Sequence, residues 1–164
     1  MHLVGSFYSS QVMMTVLHWW GLVYLNNSRN DTIRLINLIR GFIMPFVTIN
    51  VLEGKDKEYI RKASNAINSA VIETMAFPDD DRYQVVNQLP SECLQYQGRN
   101  EDRIMMHLVM RSGRSNKSKQ AFYKKVAENL HAEIGIKPEN IFITITENHD
   151  VDFSFRDGIA QFVV

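Results

Sequence analysis

The sequence predicts an α/β domain of the α+β type, in which two tandem β-α-β units form one four-stranded sheet with both helices on one face. Two strand–helix–strand patterns follow each other between residues 45 and 147. They match at a separation of about 60 residues, since Gly54-Lys55 corresponds to Gly113-Arg114 and Pro78-Asp79 to Pro138-Glu139. One such unit cannot bury both faces of its strands, so two units are expected to pair. The sheet face that carries no helix predicts oligomerisation.

The first unit is predicted from a β-branched run that is followed by a helical apolar stripe. Pro45–Leu52 is apolar with partial alternation, which is typical of a strand, and Gly54 ends it. Lys57–Ala76 places its apolar residues on one face at helical spacing, and Pro78 closes that helix. Tyr83–Val86 then begins a second strand.

The second unit follows a polar stretch, residues 87–102, which we expect to be a long loop or a short edge hairpin. Ile104–Met110 is a continuous apolar run and predicts a strand buried on both faces. Ser118–Ile134 repeats apolar residues every fourth position and predicts a helix that Gly135 ends. Ile141–Glu147 alternates strictly and is the clearest strand pattern in the chain.

Composition narrows the classes of function. Hydrophobic residues make up 45% of the chain, which is enough for a core, and the formal net charge is zero. A chain without net charge has no overall electrostatic field that would attract nucleic acid or an anionic membrane, so we expect neither as a partner. Cys93 is the only cysteine, which excludes an internal disulfide or a cysteine-rich zinc site and favours the reducing cytoplasm. The five histidines show no metal-ligand spacing, so no metal is expected.

Residues 1–44 differ in character from the rest. The apolar segment Met13–Leu25 is too short to cross a bilayer, which takes about 20 residues, and lacks the marks of a secretory signal. Three interpretations stay open: a membrane-surface anchor, an extra helix packed on the domain, or translation from an upstream start codon. The last is favoured because Arg40-Gly41 can be encoded by a purine run like a bacterial ribosome-binding site, shortly before Met44. We therefore expect residues 1–44 to be an extension, mistranslated or disordered, and 45–164 to be the domain.

Four sequence motifs occur in order at compatible spacing. They are M-P-F-V from Met44, D-R-Y-Q at Asp81–Gln84, G-R-S with K-Q-A-F-Y at Gly113–Tyr123, and E-N-x-x-x-D-F-S-F-x-x-G-x-A-Q-F at Glu147–Phe162. On these motifs residues 45–164 resemble the tautomerase superfamily, and within it the malonate semialdehyde decarboxylase-like branch. The resemblance implies a trimeric fold whose catalyst is an amino-terminal proline, here Pro45, exposed when the initiator methionine is removed.

A free amine on Pro45 would suit proton transfer near neutral pH. An α-amino group has a pKa of about 7.7–8 in peptides, and burial or neighbouring cations lower it because both disfavour the charged form. The neutral amine can then act as a general base toward the carbon beside a carbonyl, and the protonated amine as a general acid. A proline that merely opens an edge strand is the alternative interpretation of the same residue.

Two arginines are candidates for binding the substrate. Arg114 follows Gly113 at the join between strand and helix, where its guanidinium can hold a carboxylate and stabilise charge on an enolate oxygen. Arg111 is the second candidate. Here the chain departs from the decarboxylase branch, whose two arginines are separated by one residue: aligned on the K-Q-A-F-Y motif, Arg114 takes the second position and Ser112 the first. Decarboxylase activity is therefore in doubt.

The remaining candidates are one carboxylate and several aromatic residues. Asp81 corresponds to the acidic residue that the family places before R-Y-Q, so the resemblance implies that it positions or activates water, or assists the proline. Three consecutive aspartates also fit a turn. Phe153 and Phe155 are expected to form an apolar wall around the proline, and they equally fit core or trimer packing. Tyr83 and Phe162 are weaker pocket candidates.

Three hypotheses of function follow. The preferred one is a cytoplasmic homotrimer that tautomerises a small 2-oxo acid, such as a phenylpyruvate-like compound, with Pro45, Arg114 and Asp81 and without any cofactor. The second is decarboxylation or hydration of a three-carbon oxo acid, which would need Arg111 as well. In the third, residues 1–44 are retained, the nitrogen of Pro45 is an amide, and the protein is a trimeric binding protein without catalysis.

Overall fold

The computed structural model describes residues 45–163, and the predicted sheet and helices are present there. In chain order the elements are β1 (Pro45–Leu52), α1 (Lys57–Met75), β2 (Tyr83–Leu89), β3 (Ile104–Arg111), α2 (Asn116–Ile134) and β4 (Ile141–Asn148). Two short 3-10 helices, Pro138–Asn140 and Asp150–Asp152, precede and follow β4. The interpretations of residues 1–44 given above concern a part of the chain outside the described residues.

The strands form one mixed sheet in the order β2-β1-β3-β4. β1 runs parallel to β2, and β3 runs parallel to β4, as each β-α-β unit requires. The two units meet through their first strands, because β1 and β3 are antiparallel. This is the predicted four-stranded fold.

The two β-α-β units match each other more regularly in the structure than the sequence pattern indicated. β3 begins 59 residues after β1, at 104 against 45, and α2 begins 59 residues after α1, at 116 against 57. The hydrogen bonds that join strand ends repeat as well. The Glu53 amide donates to the Leu89 carbonyl at 2.9 Å, and its counterpart in the second unit, the Ser112 amide, donates to the Asn148 carbonyl at 3.0 Å.

Local signals start and stop both helices. The Asp56 side chain caps α1 by accepting the amide of Tyr59 at 2.7 Å, and the Ser115 side chain caps α2 by accepting that of Ser118 at 3.1 Å. Gly135 ends α2 with a φ of 71°, the left-handed conformation that glycine adopts without strain.

Both helices cover one face of the sheet and enclose the core. The core side chains come from the two inner strands and from both helices. Those that are fully buried include Val47, Ile49, Val51, Ile67, Val71, Met106, Leu108, Phe122, Val126 and Leu130. The other face carries the exposed apolar residues Phe46, Tyr83, Val85 and Phe142, each between 39% and 44% exposed. In the described chain this second face has no helix packed on it, as the sequence predicted.

One prediction about local structure differs from what the structure shows, and one that left two alternatives open is resolved. β3 was expected to be buried on both faces, but only alternate residues are buried, and Met105, His107 and Val109 are half-buried because they lie on the open face. Of the long loop and the edge hairpin expected after β2, the structure shows the loop, which spans residues 90–103. Its fold depends on buried Arg103, whose guanidinium donates to the carbonyls of Leu94 at 2.6 Å and Ser91 at 3.0 Å.

Candidate active site

One end of the sheet gathers the predicted site residues. Pro45 begins β1 opposite Met110, near the end of β3, and Phe46 lies level with Tyr83 at the start of β2. The starts of β1 and β2 therefore share this end with the finishes of β3 and β4. The turn before β2, the loop after β3 and the segment after β4 all emerge here, and we refer to it as the proline end.

Pro45 is the first residue of an interior strand, and it is buried. A proline is tolerated at this position because the first residue of a strand need not donate to the ladder. β1 is not the edge strand that one interpretation of the sequence assumed. The position holds the ring nitrogen at the head of β1, beside the end of β3.

Arg114 is held at the proline end by two contacts. Its Nε donates to the carbonyl of Met75, the last residue of α1, at 3.0 Å, and its guanidinium carbon lies 4.6 Å from the centre of the Phe77 ring. Gly113 before it has a φ of 115°, which turns the chain sharply after β3. Burial, and secondarily the nearby charge of Arg111, lower the pKa of Arg114 from its usual value. Two cations thus lie close together at this end.

Arg111, at the last position of β3, forms a two-bonded ion pair with Asp150. Its Nε contacts Oδ1 and its Nη2 contacts Oδ2 of that carboxylate, each at 2.5 Å. The guanidinium carbon also lies 4.9 Å from the centre of the Phe162 ring. The hydrogen bonds from Arg111 hold the pKa of Asp150 below its usual range. Arg111 is therefore near Arg114, as predicted, but its fork holds a carboxylate of the same chain.

Asp81 lies in the turn that leads into β2. In the parallel pairing of β1 and β2, Phe46 lies level with Tyr83. If this register is continued outward, Asp81 lies one residue farther from the sheet than the level of Pro45. Burial, helped by the adjacent charge of Asp80, raises the pKa of Asp81 to about 6. Its Oδ2 is buried and accepts no hydrogen bond from the described part of the chain. A buried acceptor without a donor is costly and is common at functional sites, where a ligand supplies the partner.

The predicted aromatic residues fall into two groups. Phe153 is buried and packs edge-on against Phe162 with ring centres 5.8 Å apart, and Phe155 packs against the same ring at 5.6 Å. Together with Arg111 they form an aromatic cluster at the proline end. Tyr83 instead lies next to Phe46 on the open face of the sheet and is 41% exposed.

The internal repeat supplies a comparison within the same molecule. The opposite end of the sheet has the same backbone arrangement, yet its residues 59 positions away from the site candidates are chemically different. The counterparts of Pro45, Asp81 and Arg114 are Ile104, Asn140 and Lys55. The positions equivalent to these three residues therefore hold a different set of side chains at the opposite end.

Sequence reasoning did not identify two residues that shape the site. Asp150 holds Arg111, and Glu147 accepts the Gly113 amide at 3.3 Å and the Lys119 ammonium at 2.7 Å, which fixes the loop that carries Arg114. The hydrogen bond from Lys119 is the main reason that the pKa of Glu147 is lowered. No local sequence signal marks Asp150, because its position beside Arg111 depends on the parallel register of β3 and β4 in the folded sheet.

The described residues offer little for a metal. Between residues 45 and 163 no three His, Cys, Asp or Glu side chains are grouped so that they could bind a metal ion. In the same range no helix has the length and hydropathy to cross a membrane.

Comparison with known proteins identifies the family. Two family models, both described as tautomerase enzymes, match residues 81–156 and 45–100. The probable tautomerase YusQ of Bacillus subtilis is 32% identical over 126 residues, which are 73% of this chain and 99% of that protein. The probable tautomerase YrdN of the same organism is 30% identical over 73% of this chain and 97% of its own. This chain belongs to the tautomerase superfamily.

Solved structures agree in fold. A malonate semialdehyde decarboxylase called FG41, inhibited by 3-bromopropiolate, has 28% identity and a TM-score of 0.65, covering 72% of this chain and 94% of its own. A second malonate semialdehyde decarboxylase, studied as wild-type, mutant and inactivated forms, has 27% identity and the same TM-score, over 72% and 95%. A fused 4-OT described as a symmetric trimer, at 12% identity and a TM-score of 0.63 over 70% and 94%, shares the fold alone.

Proposed function

We propose that this protein is a tautomerase that interconverts the enol and keto forms of a small 2-oxo acid, with the free amine of Pro45 as the proton carrier. The observation that carries the proposal is that Pro45, Asp81 and Arg114 lie at one end of the sheet, whereas the equivalent positions at the other end hold Ile104, Asn140 and Lys55. Membership of the tautomerase superfamily supports the class of reaction. The substrate best suited is an arylpyruvate, because an aromatic cluster lies at the same end.

Each residue has a defined part in the proposed reaction. Arg114 binds the substrate carboxylate and stabilises negative charge on the oxygen of C2 as the enol loses its proton. The nitrogen of Pro45 accepts that proton and delivers a proton to C3, so that ketonisation leaves the enzyme unchanged. Neighbouring cations favour the neutral amine, because a second positive charge nearby is unfavourable.

Asp81 is proposed to assist the proline. Its pKa of about 6 means that it is mostly ionised at pH 7 yet exchanges protons readily there. Its buried Oδ2 could accept a hydrogen bond from the amine of Pro45 or from a water molecule. The first of these roles requires the amine to be free of a peptide bond, and therefore requires processing at Met44.

We further propose a cytoplasmic homotrimer. The open sheet face, with four large apolar residues exposed, is the kind of surface that a further copy covers. The exposed thiol of Cys93 is compatible with a reducing compartment.

A second candidate is decarboxylation or hydration of a three-carbon oxo acid. It is favoured by the 28% identity to a malonate semialdehyde decarboxylase and by the proximity of Arg111 to Arg114. It requires that Asp81→Asn abolish turnover, whereas a tautomerase would retain part of its rate.

The proposal is tested by expressing residues 44–164, confirming removal of Met44 by mass spectrometry and following ketonisation of an arylpyruvate enol. We expect Pro45→Ala to lower kcat by roughly 100- to 10,000-fold, the usual contribution of general acid–base catalysis. Pro90→Ala is the matched control, because Pro90 follows β2 at the opposite end of the sheet. The full chain, in which the Pro45 nitrogen is an amide, should be inactive. An unchanged rate in Pro45→Ala would contradict the mechanism.

A further inference from the structure

The ion pair between Arg111 and Asp150 is built like a complex between an arginine and a substrate carboxylate. Two donors of one guanidinium meet the two oxygens of one carboxylate, which is the bidentate arrangement that arginine uses to bind acids. The Arg111 side chain is only 15% exposed, whereas that of Asp150 is 40% exposed. The carboxylate therefore lies on the solvent side of the arginine, where an entering anion would meet it first.

The pair belongs to the aromatic cluster of the proline end. The Arg111 guanidinium stacks on Phe162, which contacts both Phe153 and Phe155. Asp150 itself lies in the 3-10 helix between β4 and these phenylalanines. The aromatic rings and the ion-paired Arg111 therefore lie close to Arg114 at this end of the sheet.

Arg114 has a different kind of partner at its Nε. That atom donates to the uncharged carbonyl of Met75, so this contact positions the guanidinium without neutralising it. The Nε contacts of the two arginines therefore differ, since that of Arg111 goes to a carboxylate and that of Arg114 to a backbone carbonyl.

We propose, on the basis of the function given above, that Asp150 determines substrate specificity. By filling the fork of Arg111 it restricts the site to 2-oxo acids with a single carboxylate and an apolar or aromatic substituent. A second carboxylate on the substrate would lose Arg111 as a partner and would be repelled by Asp150. Asp150 acts through Arg111 and is thus a positioning residue, not a catalytic one.

The test uses ligands that bind but cannot enolise, so that binding is measured apart from catalysis. Phenylglyoxylate carries one carboxylate, and its 3-carboxy and 4-carboxy derivatives add a second one to the same ring. Affinities are measured by calorimetry for the protein produced from the full chain, its amino terminus read by mass spectrometry. We expect Asp150→Asn to raise the affinity for a carboxylated derivative, relative to phenylglyoxylate, by roughly ten-fold, since a bond to a charged group becomes available.

Three further variants distinguish an effect of Asp150 on ligand preference from an effect on the stability of the fold. Asp157→Asn is the matched control: it removes the same charge from a nearby exposed loop, and asparagine tolerates the positive φ of that position. It should behave as wild type. Asp150→Glu should keep the wild-type preference for one carboxylate, which Asp150→Asn loses. Adding Arg111→Gln to Asp150→Asn should abolish the gain, because the arginine is then absent.

The inference would be overturned if Asp150→Asn changed the relative affinity less than two-fold, or if the gain persisted without Arg111. It would also be overturned if none of the three ligands bound to any form of the protein. A loss of thermal stability with unchanged relative affinity would mean that the pair is only structural, and would overturn it as well. If the ligands bind as expected but arylpyruvate enols are not turned over, the proposed function fails while the role of Asp150 stands.

Discussion

Replacing Asp81 by asparagine should make the protein more stable at neutral pH while lowering its activity. The pKa of Asp81 is raised from 3.8 to about 6 because the folded protein buries its charge. Above pH 6 the folded chain carries this charge at a cost, whereas below pH 3.8 the group is protonated in both folded and unfolded states and the cost disappears. At 1.36 kcal/mol for each pKa unit, the full change would correspond to about 3 kcal/mol, and because Asp81 is only partly buried, screening by solvent reduces the expected cost at pH 7.5 to about 1–2 kcal/mol.

The measurement is the free energy of unfolding in urea at pH 4 and pH 7.5, at equal protein concentrations because an oligomer's stability depends on concentration. The asparagine amide also changes the free energy of unfolding by an amount that does not vary with pH. The informative quantity is therefore the free energy of unfolding of the variant minus that of wild type, compared between the two pH values. Between pH 4 and pH 7.5 the stability of Asp81→Asn relative to wild type should increase by about 1–2 kcal/mol. Asp79→Asn, in the same turn but exposed, should show no such change. A difference that is independent of pH would refute the reasoning.

Two further predictions concern Arg114 and the open sheet face. Arg114→Lys keeps the charge but loses the planar fork, so we expect KM for an arylpyruvate enol to rise roughly ten-fold, measured in the ketonisation assay; an unchanged KM would exclude Arg114 as the carboxylate ligand. Val85→Glu places a charge on the open face, so we expect the proposed trimer to dissociate in analytical ultracentrifugation, whereas Glu92→Gln, on the exposed segment after β2, should leave it intact. A Val85→Glu protein that remains trimeric would show that another surface mediates assembly.

The sequence was sufficient for the fold because its signals are local and repeated. The apolar spacing of α2, with Phe122, Val126 and Leu130 on one face, corresponds to the residues that the structure buries. β2 was predicted too short, ending at Val86, because Asn87 and Gln88 interrupt its apolar pattern. In the structure Asn87 donates to the side chain of Asn50 at 3.0 Å, so the strand continues through a partner 37 residues away that no local pattern indicates.

The site was predicted only in part, for the same reason. Pro45, Asp81 and Arg114 are marked by short motifs, and the resemblance to the superfamily assigns them roles. The ion pair between Arg111 and Asp150 joins residues 39 positions apart, and neither residue is unusual in its own segment. Their encounter depends on the parallel register of β3 and β4, which is a property of the folded sheet. The sequence could therefore nominate Arg111 as a ligand for substrate but could not show that its fork is filled.

The repeat suggests how a catalytic site can arise without a change of fold. The two ends of the sheet share strand register and the hydrogen bonds between strand ends, so the strand backbone alone does not select where chemistry occurs. The side chains of the two units differ at most positions. At the opposite end Lys55 pairs with Asp102 at 2.8 Å, and Ile104 stands where the proline would be. A free proline amine can exist only at the start of a polypeptide, so the chemistry proposed for Pro45 can operate at only one of the two equivalent ends.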